Sequence, residues 1–309
     1  MIKEYPCNLC GSTRVLEQYP DTIGQNPGRG HSFACTNCGH GEHYRVVRCQ
    51  ECGLLFSSPR PDGNALEDEY QAVEDQSYVD DQTEGRSRAF EHNLDNLSRF
   101  KKNGDLLDVG CAIGIFLFRA RARGWNVQGI EPSGWGVKRG RELFQLPLEQ
   151  GTYKDLARFE KKFDAITMWD VLEHLDDPLA ALKSCRVALK DDGVLAFSTV
   201  DSGSLYARVL GRRWPWLMMM HIFYFDRRTI RKYLEKAGFE ILSIKAYQHV
   251  VSLKYLEYKL SSINGFLCCV IRVLRKVPLL SGACLPVAMG DFMEVYAKKI
   301  EGWGAADAG

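Results

Sequence analysis

From residue 105 onward, short apolar runs alternate with longer stretches of helical spacing. Leu106–Val109, Trp125–Ile130, Phe163–Trp169, Gly193–Thr199, Phe239–Ile244 and Phe292–Lys298 read as strands, with a further short strand at Leu146–Leu148. Gly114–Arg123, Ser133–Leu143, Pro178–Leu189 and Thr229–Ala237 read as helices, the last stopped by Gly238. Strands alternating with helices predict an α/β fold: a mainly parallel sheet covered on both faces. In such a sheet a ligand lies beyond the carboxyl ends of the strands. Upstream, Phe90, Leu94, Leu97 and Phe100 fall on one helical face, which predicts a helix that docks on this sheet domain. Pro59, Pro61 and Gly63 mark a boundary before it, and Asp21–Gly30, rich in Gly and Pro, reads as a loop.

Composition narrows the class. With 309 residues and 45% hydrophobic content, the chain can bury a large core and is neither disordered nor collagen-like. No apolar run reaches the ~18 residues of a spanning helix. The opening MIKEYPC lacks the pattern of a secretory signal, so a cytoplasmic location is expected. The net charge of +1 hides an uneven distribution. Residues 61–100 hold 11 Asp/Glu against 3 Arg/Lys, whereas residues 205–299 hold 16 Lys/Arg against 6 Asp/Glu. Three parts follow: a module at 1–60, an acidic helical linker at 61–100, and a large domain at 101–309. Within the last, 247–289 reads as a helical insertion. Tyr255, Leu256 and Leu260 with Lys254 and Lys259, then the apolar Phe266–Val277, form basic amphipathic stretches. They suit either a cap whose positive face pairs with the acidic linker, or peripheral contact with an anionic membrane.

Six of the 11 cysteines lie in the first 52 residues as three CxxC pairs, each followed by glycine. Two thiolates at that spacing hold one metal from a tight turn, and a structural zinc takes four ligands. Cys7, Cys10, Cys49 and Cys52 are the expected zinc ligands of a small ribbon. Cys35 and Cys38 sit on the insertion and suit a second site with His31, His40 or His43, although each of those histidines alone reads as a surface residue. A disulfide framework conflicts with the absent secretory signal. Cys111, Cys185, Cys268, Cys269 and Cys284 are scattered and read as small packing groups.

The first strand of the large domain runs into Leu106-Leu107-Asp108-Val109-Gly110-Cys111-Ala112-Ile113-Gly114. Small residues at 110, 112 and 114 let a ligand approach the backbone where strand turns into helix. The next strand ends in Glu131, 21 positions after Gly110, where a carboxylate can take both ribose hydroxyls. Neither Gly-x-Gly-x-x-Gly nor the Lys-Ser/Thr of a phosphate loop is present. A ligand with a ribose and no pyrophosphate is therefore expected.

With LLDVGCAIGIFL, GIEPS, FDAITMWDVLEHLDDP, GVLAFST and HIFYFDRRTIRKYLEKAGFE in that order, residues ~100–300 resemble a class I S-adenosylmethionine-dependent methyltransferase. YRVVRCQECGLLFSSPRP is similar to the zinc-binding leader of some bacterial members, including sugar C-methyltransferases. The resemblance implies a seven-stranded Rossmann-like sheet whose last strand is antiparallel, with 239–244 and 292–298 as the final pair. It implies that Asp108, Gly110, Cys111, Ala112 and Gly114 wrap the methionine part of S-adenosyl-L-methionine. Glu131 would hold the ribose, with Pro132 and Ser133 near the adenine, and Trp169 and Asp170 would face the cofactor. Ala112 replaces a commoner glycine. Thr152 stands where many members have an acidic residue for the adenine amino group.

Methyl transfer from a sulfonium is an in-line displacement, so the enzyme mainly aligns the nucleophile. An oxygen or carbon nucleophile also needs a base, which histidine supplies near neutral pH. His221 is the candidate, assisted by Tyr224, in a stretch that resembles the substrate side of sugar C-methyltransferases. His174 is a second candidate that also reads as framework. Trp214, Pro215, Trp216, Leu217 and Met218–Met220 read as a substrate wall or as a core loop. The expected acceptor is a small molecule, such as a nucleotide-linked sugar or another cell-surface or secondary-metabolite precursor. RNA is the competing substrate, but residues 1–60, with 6 Lys/Arg and 5 Asp/Glu, carry no basic footprint. A non-catalytic S-adenosylmethionine-binding protein is the third reading, opposed by the intact loop and Glu131. Nothing in the sequence fixes an oligomeric state.

Overall fold

The computed structural model describes residues 2–23, 33, 41–76, 78–79, 83–247, 249–252, 265–275, 284–287 and 290–303. Short strands build the N-terminal module: β1 (Ile2–Lys3), β2 (Val15–Tyr19), β3 (Val46–Cys49), β4 (Leu55–Ser57) and β5 (Arg60–Pro61). β2, β3 and β4 form an antiparallel sheet, and β1 pairs with β5. Helix α1 (Gly63–Gln71) starts where the Asp62 carboxylate accepts the Ala65 N–H at 3.1 Å. Helix α2 (Thr83–Leu97) buries Phe90, Leu94 and Leu97, as its spacing predicts.

The large domain follows the alternating pattern. Its elements are β6 (Gly104–Val109), α3 (Ile115–Ala122), β7 (Trp125–Glu131), α4 (Gly134–Phe144), β8 (Leu148–Gln150), β9 (Phe163–Trp169), α5 (Pro178–Ala188) and β10 (Leu189–Val200). Then come α6 (Leu205–Leu210), β11 (Phe223–Tyr224), α7 (Arg227–Lys236), β12 (Phe239–Ala246), β13 (His249–Ser252), α8 (Gly265–Arg275), β14 (Cys284–Val287) and β15 (Phe292–Lys299). The seven-stranded sheet has the order β12-β15-β10-β9-β6-β7-β8. β6 is parallel to β7 and β9, while β15 runs antiparallel between β10 and β12. The central strands are apolar on both faces, with Ala165, Ile166, Leu195, Ala196 and Phe197 fully buried. α2 closes one face, its Phe90 ring standing edge-on to Phe116 of α3 at 5.4 Å between centroids.

Two expectations change. The short third strand lies at 148–150 instead of 146–148, because Pro147 has no N–H for the ladder; its carbonyl instead accepts from Gly129 at 3.1 Å. The 247–289 excursion is not purely helical: β13 and β14 pair antiparallel on either side of α8. The amphipathic stretch around Tyr255, Leu256 and Leu260 lies outside the described residues. The described ion pairs of the linker's carboxylates are with cations of the sheet domain, while Lys254, Lys259 and Lys276 lie outside the described residues. Glu91 pairs with Arg119 and Arg123, Asp95 with Arg123 at 2.6 Å, and Glu67 with Lys154 at 2.8 Å. Among the described residues, no helix is long and apolar enough to cross a membrane.

The two parts share a sheet. β11 pairs antiparallel with β4, Phe223 opposite Phe56 and Tyr224 opposite Leu55, giving the order β11-β4-β3-β2. Around that seam Asn8 Nδ2 donates to Asp177 at 2.9 Å, and the Tyr233 hydroxyl donates to Asn8 Oδ1 at 3.0 Å. The Arg60 guanidinium lies over the rings of Tyr5 and Phe223, at 4.4 and 4.9 Å from their centroids.

Gly140 shows how tightly the helices press on the sheet edge. A Cβ there would stand 2.4 Å from Leu148 Cδ1 and 2.5 Å from the Ile113 carbonyl oxygen. Backbone cannot yield as a side chain does, so Gly140→Ala should cost about 1–3 kcal/mol in urea unfolding, despite alanine's better helix propensity. An unchanged midpoint would mean that α4 does not sit this close to the 110–114 loop.

Candidate active site

In the module, Cys7 Sγ lies 3.4 Å from Cys52 Sγ, and Cys10 Sγ lies 3.5 Å from Cys49 Sγ. All four sulfurs fall within 4.8 Å of one another, and only Cys10 is exposed. A disulfide would need about 2.05 Å, whereas thiolates on one tetrahedral zinc stand about 3.8 Å apart. Gly11 and Gly53 close the two knuckles in left-handed conformation, φ 73° and 83°. Backbone amides of Leu9 and Cys10 face the Cys7 sulfur, and that of Leu54 faces Cys52. The donor set therefore fits one tetrahedral metal ion. Cys35, Cys38, His31 and His40 lie outside the described residues. His43 is buried, its Nδ1 2.8 Å from the Tyr44 carbonyl.

At the carboxyl end of β6 the chain turns through three left-handed residues: Gly110 at φ 72°, Ala112 at φ 50° and Gly114 at φ 83°. A Cβ on Gly110 would meet Val171 Cγ2 at 2.7 Å, and one on Gly114 would meet Leu146 Cδ1 at 2.6 Å. The strained Ala112 is held by its N–H, which donates to Glu131 Oε2 at 2.8 Å. Glu131 Oε1 accepts from Ser133 N–H at 2.9 Å. One buried carboxylate thus ties the loop after β6 to the turn after β7, and burial raises its pKa. The fold brings Gly110, Ala112, Gly114 and Glu131 together at the strand ends, a cradle that fits a ribose-bearing ligand without pyrophosphate.

Other expected residues have visible local duties. Ser133 Oγ caps α4 through Gly136 N–H at 2.9 Å and donates to the Val73 carbonyl at 2.7 Å, fastening the linker to the sheet. Pro132 offers its carbonyl to Gln150 at 3.0 Å. Thr152 caps the 3-10 turn at Tyr153–Arg158 in a capping box with Asp155. Cys111 is buried in the core beneath the loop. Asp108 is buried as well, its Oδ1 accepting from Thr167 Oγ1 at 2.6 Å. Trp169, at the end of β9, packs on Phe116, and its indole Nε1 has no partner among the described residues. Asp170 is left-handed at φ 56°, with Oδ1 accepting from Ser198 Oγ at 2.6 Å.

Past β9 the two candidate histidines meet. The rings of His174 and His221 lie 4.7 Å apart at 70°. His174 Nδ1 is 2.9 Å from the Met220 carbonyl, and His221 Nδ1 is 2.9 Å from the Trp216 carbonyl. A carbonyl can only accept, so His221 Nδ1 carries the proton, while His174 Nδ1 meets the Tyr70 hydroxyl at 2.9 Å as well as the Met220 carbonyl. Burial lowers His174 to about 4, which keeps the ring neutral. Tyr224 meets this pair through its ring alone, edge-on to His221 at 6.4 Å between centroids. It is fully buried on β11, and its hydroxyl turns to the Met218 carbonyl at 3.3 Å. The aromatic run before His221 is a core loop: Trp214, Leu217, Met218 and Met220 are buried. Both indoles, Trp214 and Trp216, donate to Asp291 Oδ2 at 3.1 and 2.7 Å. Sequence reading missed Asp291, an isolated carboxylate just before the last strand, and Glu173, hidden inside the Val-Leu-Glu-His stretch.

Burial pushes the Asp108 carboxyl up to about 8 from an ordinary 3.8. Between those values the folded protein binds the extra proton, so stability falls as pH rises. The expected slope from Asp108 approaches about 1.4 kcal/mol per pH unit in that interval. Asp108→Asn should flatten the stability–pH profile between about pH 4 and pH 8. Equal slopes in both proteins would remove Asp108 as its source.

The sequence model of a family described as Methyltransferase domain matches residues 83–244, more than half of the chain. Among curated relatives, the ubiquinone biosynthesis O-methyltransferase of Histophilus somni (strain 2336) is 36% identical over 106 residues, 31% of this chain and 44% of that protein. That of Actinobacillus pleuropneumoniae serotype 5b (strain L20) is 41% identical over 107 residues, 31% and 45% of the two chains. The match thus spans less than half the length of these relatives. A chain from the Haloferax volcanii complex between the Trm112 methyltransferase activator and a methyltransferase superposes with TM-score 0.52 at 13% identity, covering 74% of this chain and 100% of that one. That likeness speaks for the fold alone. A family match of this extent, on a sheet of this strand order, means that the chain belongs to the class I S-adenosylmethionine-dependent methyltransferases.

Proposed function

We propose that this protein moves the methyl group of S-adenosyl-L-methionine to an oxygen or carbon of a small-molecule acceptor. A nucleotide-linked sugar or a related cell-surface or secondary-metabolite precursor is the acceptor class. The relatives' printed name, an O-methyltransferase, favours oxygen. The contact between Gly110 and Val171 carries the reading. It sets the cofactor loop against the segment that leads, three residues later, to His174 and its neighbour His221.

When bound, S-adenosyl-L-methionine supplies an electrophilic methyl on a good, neutral leaving group. Gly110, Cys111, Ala112 and Gly114, above Asp108, would hold its methionine part through backbone that no side chain obstructs. Glu131 would take the ribose, with Pro132, Ser133 and Thr152 around the adenine and Trp169 and Asp170 on the inner wall. His221, its Nδ1 turned to the Trp216 carbonyl, would take the acceptor's proton on Nε2. His174 and Tyr224 shape the wall that positions it.

Glu131→Ala should weaken S-adenosylmethionine binding by more than about tenfold in calorimetry, through loss of the ribose contacts and of the Ala112 anchor. His221→Ala should bind the cofactor normally and lose about 10²–10⁴-fold in turnover, followed as a 14-dalton mass gain in precursor pools. Near-wild-type turnover would remove His221 from the chemistry, and cofactor binding unaffected by Glu131→Ala would relocate the site.

The four cysteines Cys7, Cys10, Cys49 and Cys52 are read as holding one structural zinc. Protein purified without chelators should contain one zinc per chain, and Cys49→Ser should lose it together with several degrees of thermal stability. Metal-free protein of unchanged melting temperature would refute the assignment.

A further inference from the structure

Asp291 stands just before β15 and is 3% exposed. The sheet fixes its place. Its carbonyl accepts from Asp201 N–H at 2.7 Å, and the next carbonyl, of Phe292, accepts from Tyr247 N–H at 3.0 Å. Its Oδ2 accepts from both Trp214 Nε1 and Trp216 Nε1. Among the described residues no lysine or arginine pairs with it; Arg227 goes instead to the neighbouring Asp201, at 3.1 Å. A buried carboxylate without a cation is costly, and the neutral amide of an asparagine has an oxygen able to accept the same two indole N–H groups. Shaping the loop therefore does not by itself account for the charge.

Trp216 links this carboxylate to His221. Its indole N–H reaches Asp291 at 2.7 Å, and its carbonyl meets His221 Nδ1 at 2.9 Å. Its ring stacks on that of His221, 6.3 Å between centroids and 21° from parallel, while Phe292 stands edge-on to it at 4.8 Å. The carbonyl of Trp214 turns elsewhere, accepting from Leu217 N–H at 3.1 Å. The indole-to-carboxylate bond is charge-assisted and so holds Trp216 firmly. An imidazole that takes a proton becomes a cation, and a nearby buried carboxylate favours that form.

We propose that Asp291 is the positioning residue of His221: through the indole N–H and the carbonyl of Trp216 it holds the ring, and its charge favours the cation that the ring becomes on taking the acceptor's proton. This role rests on the reading of His221 as base, and it reaches the ring from the Nδ1 side. Other groups face His221 as well. His174 lies 4.7 Å away ring to ring, Tyr224 stands edge-on at 6.4 Å, and Glu173 has a carboxylate oxygen within 4.8 Å of a ring nitrogen. Asp170 acts on both Glu173 and His174, and the Tyr70 hydroxyl meets His174. All of these stay when Asp291 is exchanged for asparagine, so a difference between the two proteins belongs to Asp291.

Full-length protein carrying ¹³C-labelled histidine imidazoles is titrated with pH and followed by NMR, which needs no methyl acceptor. The His221 signal is the one missing from His221→Gln. Its midpoint should fall by about one pH unit in Asp291→Asn, which keeps an acceptor oxygen and loses the charge, with calorimetric S-adenosylmethionine binding retained as proof of folding. A second measurement leaves Asp291 in place. The Trp216 indole N–H signal of the unaltered protein, identified by its loss in Trp216→Phe, should move with the His221 midpoint. In turnover of precursor pools, Asp291→Asn should lower kcat by about 3–30-fold with KM for S-adenosylmethionine unchanged, and should cost nothing more in a His221→Ala background. Equal midpoints with an indole signal that ignores them, or a full further loss in the His221→Ala background, would overturn the role of Asp291 and leave methyl transfer standing. Near-wild-type turnover by His221→Ala would instead remove the base, and the role of Asp291 with it.

Discussion

The antiparallel pairing of Phe223 and Tyr224 with Phe56 and Leu55 holds this molecule together. It is a short ladder, two residues on each side, yet everything around it is buried: Phe56, Phe223, Tyr224 and Phe225 are shielded almost completely. Arg60 lies over Phe223 from the other strand of the module. Because His221 stands two residues before this ladder, its place is set as much by the module as by its own domain. A cysteine-bound metal that stiffens the module would therefore stiffen one wall of the candidate active site, through continuous sheet.

The site is shaped from two directions. On the cofactor side a single carboxylate, Glu131, holds loop and turn through backbone N–H groups, and glycines at 110 and 114 leave no room for side chains. On the other side, carbonyls of the 216–220 loop meet Nδ1 of both histidines, and Asp291 holds that loop by two indoles. Neither arrangement uses an exposed ion pair, whose contribution would be small and salt-dependent. The exposed pairs lie on the outside, where Glu91 and Asp95 of α2 meet Arg123 of α3.

The sheet was legible in the chain because each strand announced itself as an apolar run closed by a turn. β9 appears at Phe163–Trp169 as expected, and β6 and β7 differ from expectation by one or two residues at an end. Where a proline interrupted the ladder, at Pro147, the boundary moved. The cofactor loop was legible because glycine spacing encodes backbone shape directly. The duties of Asp291 and Glu173 were not, since they depend on partners 75 to 77 and 26 residues away, and no local period records them. Charge sums are equally blind to partners: the described pairs of the acidic linker are with individual arginines and a lysine of the sheet domain.

The shared sheet also imposes an order of events on a growing chain. The strands at Val15–Tyr19, Val46–Cys49 and Leu55–Ser57 leave the ribosome early, but their outermost partner is not synthesised until residue 224. Until then β4 presents an open edge, with Leu54 and Phe56 beside it, for the whole time that the sheet domain is being made. At about 5–20 residues per second the delay lasts of the order of ten to thirty seconds. Early capture of metal by the cysteine knuckles would keep that half-finished sheet in shape while it waits.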